Sequence, residues 1–382
     1  GNARVRLAEE DGKLRLNAPP DDGDDLEEIK ETLPSAQGDG DFSKAQFTDV
    51  DPALKKRVLE TLRKYPNVFS DSIRSTPCKL PAYAIELKKG MSFPKCMRQA
   101  CRKQSPQSEQ AINDQLEIWS RVGAIKTCNA TYYSQIHVVW KQGKKARIAI
   151  DFRGLNGITE LFSWPLPDIK TQLAKLKGKK FLLTLDLTDA YGQCALDPKT
   201  QHLSAFMTKD GLYHFTRLPF GLSGAVSYFA FQICTVVLVG LVGKICEAYL
   251  DDIIIWGETE AELISHLEEV LQRLQKYELV AKASKLKCGS TLQFLGHVVD
   301  EKGIAMSEDR KAALQRIVRP TTVGELYSFV GLANYFRDHI REYSKYSKSL
   351  TTMLEPKNKR KTIQWEAHAA NVFETLRGLV IS

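Results

Sequence analysis

Apolar residues recur along this chain with two periods, and the switches between them mark out its elements. After Asp51-Pro52, the residues Leu54, Val58 and Leu62 return at helical spacing, with Asp51 placed to cap and Pro52 suited to the first turn. Ile112, Leu116 and Trp119 predict a second helix over residues 107–121. Strand patterns follow. SQIHVVWKQ and ARIAIDF flank Gly143, with lysines on both sides, and predict a basic hairpin. In KKFLLTLDLTDAY, Phe181, Leu183, Leu185 and Leu187 take one face and Leu182, Thr184 and Asp186 the other. LSAFMTKDGLYHFTRLPFG alternates about a Lys-Asp-Gly turn, a hairpin signal. Thr259-x-x-Glu262 is a capping box that opens a helix with Leu263, Leu267, Val270, Leu271 and Leu274 on one face. LQFLGHVVDEKGIAM reads as a further hairpin. From about residue 307 the period turns helical, and Thr322-x-x-Glu325 caps a stripe of Leu326, Phe329, Val330 and Ala333. The result is an α+β pattern with no internal repeat.

The first 45 residues break this pattern. PPDDGDDLEE and SAQGDGDFSK are rich in acid, Pro and Gly and read as an acidic disordered linker. Residues 1–51 carry a net charge of −8, whereas the whole chain of 382 residues carries +8. The remainder therefore stands at +16, a basic body suited to a polyanionic partner or simply to solubility. The eight cysteines form no Cys-x-x-Cys pair and have no His at zinc-finger spacing, which suggests small core residues in a reducing compartment. The run FAFQICTVVLVGLVGKIC from Phe229 is interrupted by Gln232, Gly240 and Gly243, and predicts a buried helix and no membrane partner. No signal peptide is visible, and no Met precedes Met91, as expected for a piece of a longer precursor.

Candidate chemistry centres on EAYLDDIIIWGE, where Asp251 and Asp252 interrupt an otherwise apolar stretch. Adjacent strand residues point to opposite faces, so both acids can share one site only if the chain turns there. Two unit charges ~4 Å apart repel by ~4 kcal/mol at an effective dielectric of ~20, and no lysine lies within residues 245–258 to offset that. A polar turn exposed to water is one solution, and a metal ion is another. Asp186, which ends an equally apolar strand, brings the ion level with the polar turn, because clustered carboxylates are the ligands Mg²⁺ prefers.

Six blocks then decide the comparison. RIAIDFRGLN, LDLTDAYGQ, TRLPFGLSGA, AYLDDIIIWG, FLGHVVDEKGI and FVGLANYFRDHI occur in the order found in reverse transcriptases of gypsy-type LTR retrotransposons, which the chain resembles over residues 55–378. The resemblance implies a right-hand polymerase of fingers, palm and thumb. It sets an N-terminal extension at 46–90, fingers at 91–160 and 194–224, and palm at 161–193 and 225–300. The thumb follows at 301–355, and the start of a connection or ribonuclease H region at 356–382. It implies an RNA-directed DNA polymerase that extends a primer 3′-hydroxyl, with an inactive or domesticated nucleic-acid-binding module as the alternative.

Carried over by position, Asp186, Asp251 and Asp252 are the catalytic acids, and with Leu187 they bind two Mg²⁺ ions, with Mn²⁺ as a substitute. Lys141, Arg147, Asp189, Ala190, Tyr191 and Phe220 face the deoxynucleotide, with Tyr191 as the ring that excludes a 2′-hydroxyl. An ordinary core aromatic at 191 and a solvated hairpin tip at 141 are the plainer readings. Segment 139–153, at net +4, suits triphosphate binding. Tyr249, Leu250, Lys285, Phe294, Leu295 and Gly296 meet primer and template, and Gln193 follows the family pattern at a palm strand. Residues 300–361, at net +5, suit a duplex backbone. The implied partners are an RNA template, a DNA primer, RNA/DNA and DNA duplexes and dNTPs. Monomer and homodimer stay open. The implied location is a cytoplasmic virus-like particle, or the nucleus. Val226 stands where the family has proline, and TYYSQIHVV lacks its Ser-Pro dipeptides. No protease, integrase or complete ribonuclease H motif occurs, so the expectation is a chain that polymerises without cutting.

Overall fold

The computed structural model describes residues 6–10, 13–17, 41–140, 146–306, 317–335, 337, 340, 342–354 and 361–381. Two compact units result, Glu27–Ile304 and Gly1–Leu26 with Ala305–Ser382.

In the smaller unit, strands β1 (Arg6–Glu10) and β2 (Lys13–Asn17) pair antiparallel, with Glu10 opposite Lys13. Within residues 6–17 this corrects the expectation of a disordered linker over residues 1–45, of which residues 18–40 lie outside the described residues. Charge dominated the composition, but KLRLN alternates and follows Asp11-Gly12, a dipeptide favoured in two-residue hairpin loops. β2 lies against the helix Val323–Tyr335. That helix, Tyr343–Thr351 and Ala367–Ile381 share a core of Leu326, Phe329, Ala333, Leu350, Phe373 and Leu376. The Thr322 capping box forms reciprocally: Glu325 N–H donates to Thr322 Oγ1 and Thr322 N–H to Glu325 Oε2, both at 3.3 Å.

The larger unit holds two five-stranded sheets. The first runs β10 (Cys246–Tyr249), β11 (Asp252–Gly257), β7 (Phe181–Asp186), β12 (Lys287–Gly289) and β3 (Gln46–Thr48). Its central strands read as continuous apolar runs because both faces are covered. Leu183, Leu185, Ile253 and Ile255 enter the main core with Leu263, Leu267, Val270, Leu271 and Leu274 of helix α6 (Glu260–Lys276). Leu182, Ile254 and Trp256 pack on the opposite face with Leu173, Leu176, Leu292, Phe294 and Val299. The period-2 alternation read from residues 181–187 is thus the division between two cores. α6 begins as expected, with Thr259 Oγ1 accepting from Glu262 N–H at 3.2 Å. Helix α1 (Pro52–Arg63) is capped by Asp51, whose Oδ1 accepts from Ala53 N–H at 2.7 Å.

The second sheet has the order β4 (Ile125–Thr127), β9 (Gly211–Phe215), β8 (Phe206–Thr208), β5 (Ser134–Val139), β6 (Arg147–Asp151). Both predicted hairpins are present, with Val139 opposite Arg147 and Thr208 opposite Gly211. Trp119 of helix α2 (Pro106–Arg121) meets Phe206 and Phe215 edge-on. The apolar run from Phe229 forms the end of helix α5 (Ala225–Phe231) and a wider turn, Gln232–Val237, and Phe229, Ile233 and Val237 are fully buried. No helix among the described residues is long and apolar enough to cross a membrane.

Gly257 closes β11 where α6 begins. A Cβ there would stand 2.5 Å from Leu263 N and 2.9 Å from both Leu263 Cα and Thr259 O, all backbone atoms. Gly257→Ala should therefore cost ~1–3 kcal/mol, read as a lower urea midpoint at unchanged slope.

Candidate active site

The site grows from one register. β7 and β11 pair antiparallel so that Asp186 lies directly opposite Asp252. β11 also pairs with β10, with Tyr249 opposite Asp252, which leaves Leu250 and Asp251 as a two-residue loop. Leu250 takes φ +58°, a left-handed conformation that a tight reversal needs and a leucine adopts only at some cost. The Asp251 carbonyl accepts from Leu187 N–H at 2.9 Å, which fixes the loop against the end of β7. The three acids, 65 residues apart in sequence between Asp186 and Asp251, therefore stand at one sheet end.

Their environment is poor in water. Asp186 is 8% exposed, and its Oδ1 has no hydrogen bond. Burial pushes the Asp186 carboxyl up to about 7, with Asp251 and Asp252 adding to the rise and Lys282 opposing it. Burial and then Asp251 push Asp252 to about 7 as well, against Lys287. No lysine lies within residues 245–258, and two lysines from a distant loop serve Asp186 instead. Lys285 Nζ is 3.4 Å from Oδ2, and Lys282 Nζ is 3.9 Å from Oδ1. Lys282 N–H donates to the Asp186 carbonyl at 2.8 Å, so the backbone delivers the charge. Burial, then Lys287, holds Lys285 down to about 8. Acid and lysine both shift toward their neutral forms, so desolvation outweighs their attraction.

Hard carboxylate oxygens that repel one another, one of them lacking a hydrogen bond, suit a divalent cation as a donor set. Among the described residues, however, no three His, Cys, Asp or Glu are already gathered tightly enough to hold an ion. Metal binding would have to draw the carboxylates together and displace the lysine contact on Asp186.

The remaining candidates fall around this corner. Leu187 is buried and bridges to Ala281. Ala190 and Tyr191 are buried, and the Tyr191 ring meets Phe220 at 4.9 Å and Phe229 at 5.4 Å, both edge-on. Phe220 is exposed, and its loop is anchored through Asn156, whose Nδ2 donates to Gly221 O at 2.8 Å and whose Oδ1 accepts from Ser223 N–H at 3.1 Å. Arg147 begins β6, the strand leading to that anchor. Lys141 lies outside the described residues. Asp189, at φ +40°, folds its carboxylate over its own turn, where a Cβ on Gly192 would collide with it. Burial raises its pKa to about 6.

Lys285, expected at primer and template, stands beside the Asp186 carboxylate, because the 280–285 segment is bonded to the end of β7. Two expectations need amending. Phe294 is 3% exposed and packs beneath the sheet, so only Leu295 (φ +49°) and Gly296 (φ +75°) occupy the turn between β13 (Leu292–Phe294) and β14 (His297–Val299). Gln193 belongs to a single helical turn, Tyr191–Gln193, rather than a strand. Lys282 and the buried Arg217 were missed. The signal for Lys282 was the basic stretch AKASKLK following an apolar run, and that for Arg217 was a lone charge before LPFG.

Residues 139–299, which contain all three acids, match the reverse transcriptase (RNA-dependent DNA polymerase) family, and the chain carries a domain of that family. Its relatives are retrotransposon polyproteins. It is 31% identical over 286 residues to the retrovirus-related Pol polyprotein from transposon gypsy of Drosophila melanogaster, covering 71% of this chain and 28% of that one. It is 34% identical over 248 residues to that from transposon opus of the same species, covering 63% and 25%. The chain thus spans about a quarter of the length of these curated relatives. Among solved structures, a foamy viral protease-reverse transcriptase in complex with double-stranded DNA superposes with a TM-score of 0.79 at 20% identity, covering 99% of this chain and 68% of that one. Another, in complex with an RNA/DNA hybrid, gives 0.77 at 21%, covering 93% and 47%. The fold is that of a right-hand reverse transcriptase polymerase.

Both raised carboxyls bind protons more readily in the folded chain than in the unfolded one. Their stabilising contribution is complete below the ordinary value of 3.8 and is lost as pH rises through about 7. In EDTA, Asp252→Asn should raise stability by ~1–3 kcal/mol at pH 8 and change it little near pH 4, measured by urea denaturation at both pH values.

Proposed function

We propose that this chain is an RNA-directed DNA polymerase that extends a primer 3′-hydroxyl with dNTPs, serving the replication of a gypsy-type retrotransposon. The observation that carries the reading is the pairing of Asp186 opposite Asp252 with Asp251 in the adjoining loop. Membership of the matching segment in the reverse transcriptase family supports it. In this reading Asp186, Asp251 and Asp252, with Leu187, hold two Mg²⁺ ions or their Mn²⁺ substitutes. When bound, such ions supply the positive charge that acidifies the attacking hydroxyl and neutralises the leaving pyrophosphate. The aspartates orient that charge; Asp186 and Asp252 must give up protons to do so, and Asp186 its lysine contacts. Arg147 and Lys141 bind the triphosphate by charge. Tyr191, propped by Phe220 and Phe229, fills the space a ribose 2′-hydroxyl would need. Tyr249, Leu250, Leu295 and Gly296 lie in or beside two hairpin turns and position the primer end, for which small misplacements are costly.

We assign fingers, palm and thumb by the borders given above, and place the working enzyme with an RNA template and DNA primer in a virus-like particle.

Primer extension on an RNA template with Mg²⁺ tests the reaction, and tight binding without extension would leave only a nucleic-acid-binding module. Asp251→Asn should reduce extension about a thousandfold or more, ~4 kcal/mol of barrier, while duplex affinity stays within about threefold. A parallel loss of both would make the acid structural. Tyr191→Val should raise ribonucleotide incorporation relative to deoxynucleotide by about tenfold, and an unchanged ratio removes the ring from sugar selection.

A further inference from the structure

Arg217 is 3% exposed. A buried guanidinium normally has a carboxylate close by, since an unpaired charge in a low dielectric is expensive. None forms an ion pair with Arg217 among the described residues; the buried Asp189 carboxylate acts on it only at longer range, and its hydrogen-bond partners are backbone carbonyls. Nη1 reaches Gly192 O and Gln193 O at 3.4 Å each, while Nη2 reaches Arg74 O at 3.1 Å and Ser75 O at 2.6 Å. One side chain thus joins the turn that carries Tyr191 to a segment more than a hundred residues earlier. Cys78 N–H donates to Gln193 O at 2.8 Å and repeats that link.

Gln193 grips the same turn from another direction. It is 3% exposed, and both ends of its amide are used. Nε2 donates to Thr188 O at 2.6 Å and Val280 O at 3.0 Å, and Oε1 accepts from Val280 N–H at 2.7 Å. Val280 lies two residues before Lys282, whose N–H holds the Asp186 carbonyl. The turn 189–194 therefore has its own short-range bonds, Gln193 N–H to Asp189 O at 3.2 Å and Cys194 N–H to Tyr191 O at 2.9 Å, plus two clamps from side chains that are themselves buried.

We propose that Arg217 and Gln193 are positioning residues that lock the Tyr191 turn against the 74–78 and 280 segments and thereby set the enzyme's discrimination between deoxy- and ribonucleotides. The proposal rests on the polymerase reading and deepens it. A gate that works by steric exclusion is only as selective as its ring is immobile. The ring meets Phe220 and Phe229 edge-on, and the backbone turn that carries it is fixed from beneath by the two clamps. Arg217 suits that task because its planar fork spans two chain segments at once, which the single ammonium of lysine does not.

The test uses the full chain with Arg217→Lys and Gln193→Leu. Amide exchange in residues 191–194 should speed up about tenfold in each variant, while α6 amides keep their protection. In extension assays KM for dNTP should rise about tenfold and selectivity against ribonucleotides fall about tenfold. The kcat for dNTP should stay within about threefold and template–primer Kd should not change. The double variant should be no worse than the more affected single one, because both act through one turn. Unchanged exchange at 191–194 overturns the clamp, and so does a loss of kcat at constant sugar selectivity. Unfolding by both replacements would place the two residues in folding alone and also overturns it. A wild-type chain that does not extend any primer refutes the polymerase reading and with it the selectivity role. The exchange measurement still decides, by itself, whether the turn is clamped.

Discussion

Two aspartates, one buried and one half-buried, facing each other across antiparallel strands are the constraint on which the rest of the molecule depends. Asp186 and Asp252 end the most apolar part of the sheet, where burial, and then the neighbouring carboxylates, drive both carboxyls toward neutrality. A folded chain can tolerate that pairing only if the surrounding strands contribute enough burial to offset it. They do so by covering both faces of β7 and β11, so that Leu182, Leu183, Leu185 and Ile253 to Trp256 are all buried.

The lysines beside Asp186 show how that strain is handled in the chain as it stands. Lys282 and Lys285 occupy the place where positive charge is wanted, but neither removes the cost of burial. A divalent cation would satisfy the carboxylates better than either ammonium, because it concentrates twice the charge and takes several oxygens at once. The site is thus built for a stronger partner than the protein supplies. The same 280–285 segment that brings the lysines also receives the Gln193 amide, so the electrostatics of the acids and the posture of the Tyr191 turn share one scaffold.

Much of this was legible from residue order. Alternation in FLLTLDL foretold which side chains would separate into two cores, and the Thr259 and Thr322 boxes foretold where two helices begin, because such signals act over a few residues. The Asp11-Gly12 dipeptide announced a hairpin of the same local kind, but the acidic composition around it masked the signal. The place of Lys285 beside Asp186 was illegible for another reason. Its sequence context is only a basic stretch, and its partner lies 99 residues away.

Sequence by itself pointed to most of the elements, the polar interruptions within them and the reverse transcriptase domain, since these rest on local periodicity and on ordered motifs. Tertiary structure alone decided the pairing of Asp186 with Asp252, the arrival of Lys282 and Lys285, the burial of Phe294 beneath its turn and the grip of Arg217 on four carbonyls. Those depend on strand register and on segments brought together from distant parts of the chain. No spacing rule encodes such contacts, because the backbone between the partners can take many paths and only the packed cores select one.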